Sequence, residues 1–309
     1  MKKIPVIIDC DPGCDDAVAL LMGYREEKLN IKGITVSAGN VSIENTSQNA
    51  LRLTALFSAD IPVVKGLDKP LMREIVTAPE VHGESGIGGV TLPRTDKKFH
   101  NLSVVEFIAK TLRESDEKIV IVITGPMTNI GAFLLSHPEL KEKIEYFSIM
   151  GGSSIGGNIT PAAEFNIYVD PEAAKIVFES GVPIVMSGLD VTLKALAYGK
   201  DIDGLRKLGN HGGEIAAEVI EHAFGFHKDS GKTGVPLHDP CALAYVTHPE
   251  LFKGEEVYVT VETKGEYTLG ETVVDRTGKL KRENNTLILN WVDREKFIEL
   301  ITRNISKLV

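Results

Sequence analysis

The chain is poor in the residues that build redox or zinc chemistry: three cysteines and a single tryptophan in 309 residues. Cys10, Cys14 and Cys241 are an odd number without disulfide-like or zinc-ribbon spacing, which fits a reducing compartment. A zinc site on Cys10 and Cys14 is disfavoured, because the donors around them are carboxylates, which suit hard cations better. Positive charge is also in deficit. With 34 Lys and Arg against 43 Asp and Glu, the net charge of −9 argues against nucleic acid or an anionic membrane as main partner. No apolar run is long enough to read as a membrane span. The opening Met1-Lys2-Lys3-Ile4-Pro5 meets Asp9 too soon for a secretory signal, so a cytoplasmic location is expected. No Pro/Ser-rich linker, internal repeat or low-complexity stretch divides the chain, and residues 1–309 read as one domain.

What is present is a β-α-β-α alternation. Val6-Ile7-Ile8 precedes a helical period over 15–25, and Ile31 to Val36 precedes an amphipathic stretch over 44–57. The order resumes with a helix over 104–113, the strand Ile119-Val120-Ile121-Val122-Ile123 and a helix opening near Thr128. The strand 146–150, a helix over 171–179 and the strand 182–186 follow. Continuous β-branched strands separated by helices predict an α/β fold with an open, mostly parallel sheet covered on both faces. Residues 255–289 differ: Val257, Val259 and Val261 alternate, and turn signals at Lys264-Gly265 and Thr277-Gly278 predict a small antiparallel element at the sheet edge. A final helix is expected over 293–307. The glycine- and proline-rich stretch 66–101 is long enough to be functional or mobile.

Each predicted strand ends in a polar or glycine-rich loop, and ligands of open parallel sheets bind beyond the carboxyl ends of the strands. The most informative loop is the first, where Asp9, Asp11, Asp15 and Asp16 crowd together with no Lys or Arg between Lys3 and Arg25. Crowded carboxylates repel and resist desolvation, so a hard, oxygen-seeking cation is the leading inference. A blander role, capping and charging the first turn of a helix, accounts for Asp15 and Asp16 but leaves Asp9 and Asp11 unexplained.

The segment Asp9-x-Asp11-Pro12-Gly13-x-Asp15-Asp16 resembles the N-terminal motif of the nucleoside hydrolases. The similarity continues through Ala38-Gly39-Asn40, His82-Gly83-Glu84, Thr124-Gly125-Pro126-Met127-Thr128-Asn129, Met150-Gly151-Gly152, Asn158, Glu164-Phe165-Asn166 and His238-Asp239. It spans essentially the whole chain. The resemblance implies a ribonucleoside hydrolase that cleaves the N-glycosidic bond of purine or pyrimidine ribonucleosides to ribose and free base, with one bound Ca2+. Carried over residue by residue, it implies that Asp11, Asp16, Asp239 and the Met127 carbonyl hold the ion. Asp11 would also be the base that takes a proton from the calcium-bound water. Asp15 and Asn40 would meet ribose hydroxyls, and Asn158, Glu164 and Asn166 the 5′ and 3′ side. His238 is the expected proton donor to the departing base, with His82 a second candidate for the base pocket.

The chain departs from better-known relatives at Cys14, to which no catalytic role is attached, and between Phe224 and Leu237, where a tyrosine facing the base is missing. Phe226 is expected to stack on the base and His227 to donate to it. Trp291 is read as a packing residue. Gly151-Gly152 and Gly156-Gly157 lack the lysine and spacing of a phosphate-binding loop and are read as close backbone approach at the sugar. Two rival readings fit less well. A haloacid dehalogenase-type phosphatase expects Thr or Val where Gly13 stands and a basic group for phosphate. A non-catalytic nucleoside or ribose binder would need neither Asp11 nor His238. Salvage and a homodimer or homotetramer complete the expectation.

Overall fold

The structure, a computed structural model, describes residues 2–57, 60–229 and 234–308; side chains at 226–229 lie outside that description. The first strand, β1 (Ile4–Cys10), is buried from Pro5 onward and leads through α1 (Cys14–Tyr24), β2 (Leu29–Val36) and α2 (Ile43–Leu56) to β3 (Val63–Lys65). A single turn, α3 (Pro79–His82), precedes α4 (Val104–Glu114), β4 (Ile119–Ile123), α5 (Thr128–Ser136) and β5 (Ile144–Met150). Then come α6 (Phe165–Val169), α7 (Pro171–Phe178), β6 (Ile184–Ser187), α8 (Leu189–Thr192) and the short β7 (Leu196–Ala197). The remainder is α9 (Gly199–Arg206), α10 (His211–Asp229), β8 (Val235–Pro236), α11 (His238–Thr247), β9 (Phe252–Val261), β10 (Thr272–Asp275), β11 (Thr286–Val292) and α12 (Arg294–Ile305).

Among the described residues, nine strands form one sheet in the order β10-β9-β11-β6-β5-β4-β1-β2-β3. All pairs from β11 to β3 are parallel, while β9 runs antiparallel to β11 and β10 to β9. The predicted architecture is therefore the observed one, with one correction. Residues 286–292 are not part of an edge decoration: β11 lies inside the sheet, parallel to β6, and only β9 and β10 form the antiparallel edge. A second, two-stranded sheet pairs β7 with β8.

The strand pleat divides the core. Val6, Ile8, Val120 and Val122 pack with α1, α10, α11 and α12, whereas Ile7, Ile121 and Ile123 pack with α4, α5 and α7. Helices α9 to α11 occupy a stretch for which no element was predicted. In α10 the buried residues Ile215, Val219, Ile220 and Ala223 do follow helical spacing, but the helix opens on Gly212-Gly213, a weak start. The long 66–101 stretch is pinned rather than loose. Ile87 and Leu92 are buried in the core, and Asn49 and Asn45 donate to the carbonyls of Ser85 and Glu84. Among the described residues, no helix is long and apolar enough to cross a membrane.

Candidate active site

The carboxyl ends of β1, β4 and β5 open on one side of the sheet, and the loops beyond them converge. Gly13 begins α1 because the Asp16 carboxylate accepts its backbone N–H at 2.9 Å, so Asp16 does close the helix start, as the blander reading held. That is not its whole role. It also accepts from Thr124 Oγ1 at 2.8 Å and from Asn40 Nδ2 at 3.2 Å. Asp239, on the first turn of α11, comes to the same place from the far end of the chain. One carboxylate oxygen each from Asp15, Asp16 and Asp239 lie within 4.8 Å of one another.

Asp11 lies behind this trio, fully enclosed. Its Oδ2 accepts the backbone N–H of Asn40 at 2.6 Å, and its Oδ1 has no partner. The enclosure depends on two glycines. A Cβ on Gly39 would land 2.1 Å from Asp11 Oδ2, and one on Gly125 2.5 Å from Oδ1. Asp9, still within β1, is also fully buried and points with Ile7 toward β2 and α5. There it accepts from Thr35 Oγ1 and from Asn129 Nδ2 at 2.9 Å, while its other oxygen is unpaired. Asn129 belongs to the first turn of α5. Asp9 therefore ties that turn to β1, a role the sequence reading did not assign.

Burial and mutual repulsion act together on these acids. Burial, reinforced by the Asp16 charge, pushes the Asp11 carboxyl well above the aspartate range; burial and then Asp15 do the same to Asp239. Asp16 is pushed up to about 6 and Asp9 to about 7, both mainly by burial. No Lys or Arg among the described residues lines the cavity in front of them. Clustered oxygen donors, no counter-charge and an orphaned Asp11 oxygen fit a divalent cation. The Met127 carbonyl, N-terminal to α5, already accepts the helical N–H of Gly131 at 2.8 Å and keeps one lone pair for an ion.

The cavity measures about 310 Å³ and has two chemically different ends. At one end are Asp15, Asn40, Asn158, Glu164 and Asn166; at the other, Leu189, Val219, Ile220, Ala223 and Val235 from α8, α10 and β8, with Leu193 just past α8, form an apolar wall. Glu164 caps α6, accepting from Asn166 and Ile167, and also takes the Gly152 N–H at 2.9 Å. Burial nevertheless raises it to about 7. Asn166 spends its Nδ2 on the carbonyls of Thr124 and Met150, tying the ends of β4 and β5 together. Asn158 receives the Phe165 N–H on its Oδ1.

Two histidines border the cavity. His82, on α3, accepts the Cys14 N–H on its Nδ1 at 3.1 Å, and burial holds its pKa below the usual value. It fits against the start of α1 because Gly13 has no side chain: a Cβ there would stand 2.6 Å from His82 Nδ1. His238 is the first residue of α11, with its Nδ1 2.8 Å from Thr192 Oγ1 on α8. The side chains of Phe226 and His227, expected at the base, lie outside the described residues. The apolar wall from α10 and the Thr192 contact were not foreseen. Trp291 sits outside the cavity on β11, beneath the Lys253 ammonium.

Comparison with known proteins agrees with this geometry. The family model described as inosine-uridine preferring nucleoside hydrolase matches residues 6–299. The chain is 50% identical over 306 residues to the pyrimidine-specific ribonucleoside hydrolase RihA of Salmonella paratyphi C (strain RKS4594), covering 98% of each. It is 50% identical over 301 residues to the protein of the same name from Escherichia coli (strain K12), covering 96% of this chain and 97% of that one. Among solved structures, the purine-preferring ribonucleoside hydrolase from Gardnerella vaginalis superposes with a TM-score of 0.93 at 33% identity, covering 98% of both chains.

Proposed function

The chain belongs to the inosine-uridine preferring nucleoside hydrolase family and is a ribonucleoside hydrolase; on that premise we propose that it is calcium-dependent and prefers pyrimidine ribonucleosides. The observation that carries the reading is the two-ended cavity: oxygen donors and the Asp15, Asp16, Asp239 trio at one end, an apolar wall at the other, and two histidines on its border. Such a cavity suits a ligand that is half sugar and half aromatic base. The pyrimidine preference rests on the 50% identical relatives, which are named pyrimidine-specific, whereas the 33% identical neighbour is named purine-preferring.

In this reading Asp11, Asp16, Asp239 and the Met127 carbonyl hold the ion, with Asp15 close enough to share it. All are oxygen donors, of which calcium takes about six to eight. A divalent ion held there would supply Lewis acidity, making a nearby water a stronger acid. Asp11 takes the proton from the water that attacks C1′. Positive charge then developing on the ribose ring is stabilised by the surrounding carboxylates, as in other glycosidases. Asn40, Asn158, Glu164 and Asn166 orient the sugar. His238 donates to the departing base, and His82 contributes a second donor beside it. A cytoplasmic, homo-oligomeric salvage enzyme is the physiological form of this proposal.

The test is ribose release from uridine, cytidine, inosine, adenosine and guanosine, before and after chelation and after calcium is restored. We expect release that chelation abolishes and calcium restores, with uridine and cytidine fastest. Chelation-insensitive release would overturn the metal role, and faster purine turnover the base preference.

A further inference from the structure

Each histidine at the cavity has its Nδ1 committed, but to partners of different kinds. For His82 the partner is the Cys14 backbone N–H, which can only donate, so Nδ1 accepts and the proton of the neutral ring sits on Nε2. For His238 the partner is a hydroxyl, Thr192 Oγ1, which can donate or accept. The single hydroxyl proton decides between them. Thr192 is fully buried, and His238 is the sole hydrogen-bond partner of its hydroxyl among the described residues. A threonine in a helix commonly turns its hydroxyl back to the carbonyl four residues earlier, and here it does not. Were Nδ1 protonated, the hydroxyl would have to accept, and its own hydrogen would be buried with no acceptor, an arrangement folded proteins avoid.

We propose that Thr192 is a positioning residue: it donates to His238 Nδ1 and holds the imidazole in the Nε2–H tautomer, with its proton on the nitrogen that serves the leaving base. The proposal rests on the leaving-group role assigned to His238 above. The hydroxyl and the ring come from elements adjacent in space but far apart in sequence, α8 and the start of α11. The contact therefore sets both ring orientation and tautomer. It also explains why a fully buried hydroxyl occupies a position that borders apolar Leu189 and Val191.

The experiment compares Thr192→Val, Thr192→Ser and His238→Ala with the wild type, in the calcium-loaded enzyme, on uridine and on nitrophenyl riboside, whose leaving group needs no proton. We expect Thr192→Val to lower kcat on uridine about tenfold, at least about fivefold more than on nitrophenyl riboside, with KM little changed. Thr192→Ser, which keeps the hydroxyl, should recover most of the loss, and Thr192→Val should add nothing in a His238→Ala background. Equal loss on both substrates, or none on uridine, would overturn the proposal. If His238→Ala itself slows both substrates equally, the leaving-group role is what fails. If His238→Ala is selective and Thr192→Val is not, only the positioning role fails. Long-range 1H–15N spectra of histidine-labelled wild type, with His238 assigned from the His238→Ala variant, read the tautomer directly. An unprotonated Nδ1 supports the proposal; a protonated one overturns it even if Thr192→Val does not fold.

Discussion

Asp11 carries the most tension of any single side chain. It is enclosed, one oxygen is unpaired, and Asp16 repels it. Asp11→Asn keeps the shape and removes the charge. As the assigned base, its loss should lower kcat on uridine roughly 10²-fold or more. Removing a buried, repelled charge should not lower the melting temperature of the chelated protein. A variant that keeps more than about a tenth of the rate would strip Asp11 of that role. Glu164 presents the opposite case, a buried carboxylate whose oxygens are taken up by the N–H groups of Gly152, Asn166 and Ile167. Glu164→Ala would leave buried donors unpaired, and urea unfolding should show a loss of about 1–3 kcal/mol.

At the scale of elements, the start of α1 organises the site. Its Gly13 N–H meets Asp16, its Cys14 N–H meets His82, and its missing Cβ makes room for both His82 and Asn40. The backbone of Gly13 is extended (φ −96°), which alanine tolerates. Gly13→Ala should therefore damage the site without damaging the helix. Activity on uridine should fall at least about tenfold while the melting temperature shifts by only a few degrees. A fully active Gly13→Ala enzyme would show that His82 can move aside at no cost to catalysis. Helix α11 contributes similarly from the other side, delivering His238 and Asp239 from adjacent positions of its first turn.

For the whole molecule, the site is an electrostatic liability that a cation relieves. Asp16 at about 6 and Asp9 at about 7 lie above the usual aspartate value of 3.8, so at these two acids the metal-free native state holds more protons than the unfolded chain across roughly pH 4 to 7. Their contribution is therefore favourable at low pH and declines as pH rises through that window. Asp11, Asp239 and Glu164, also raised by burial, act in the same sense, whereas His82 and His248, held low by burial, act in the opposite one and are outnumbered by the five acids. The chelated protein should melt at a lower temperature at pH 7.5 than at pH 5.5. Calcium, which binds the deprotonated acids, should raise the melting temperature more at pH 7.5. Scanning calorimetry at the two pH values, with and without calcium, checks both signs. A calcium-induced shift that is larger at pH 5.5 would contradict the placement of the ion among these acids.

Much of this protein was legible in its sequence because the relevant signals are local. The apolar run of β1 and its crowded acids, the unbroken strand Ile119–Ile123 and the helical periods of α2, α4 and α12 each show within a dozen residues, since burial on both sheet faces or one helix face leaves a periodic trace. Other features left no such trace. That β11 runs parallel inside the sheet depends on which strand it meets, not on its own pattern. Helix α10 is weakly announced, yet it supplies much of the apolar wall. The pairing of Thr192 with His238 joins residues that nothing in the chain's order connects, and Asp16 and Asp239 were linked only through the family resemblance, not by any local pattern. By itself the sequence determined the fold class and the cation-seeking acids at the end of β1, because local pattern and crowded charge suffice for both. Only the tertiary structure decided which distant groups share one water-poor volume, because desolvation and hydrogen-bond direction exist only once the chain has closed around them.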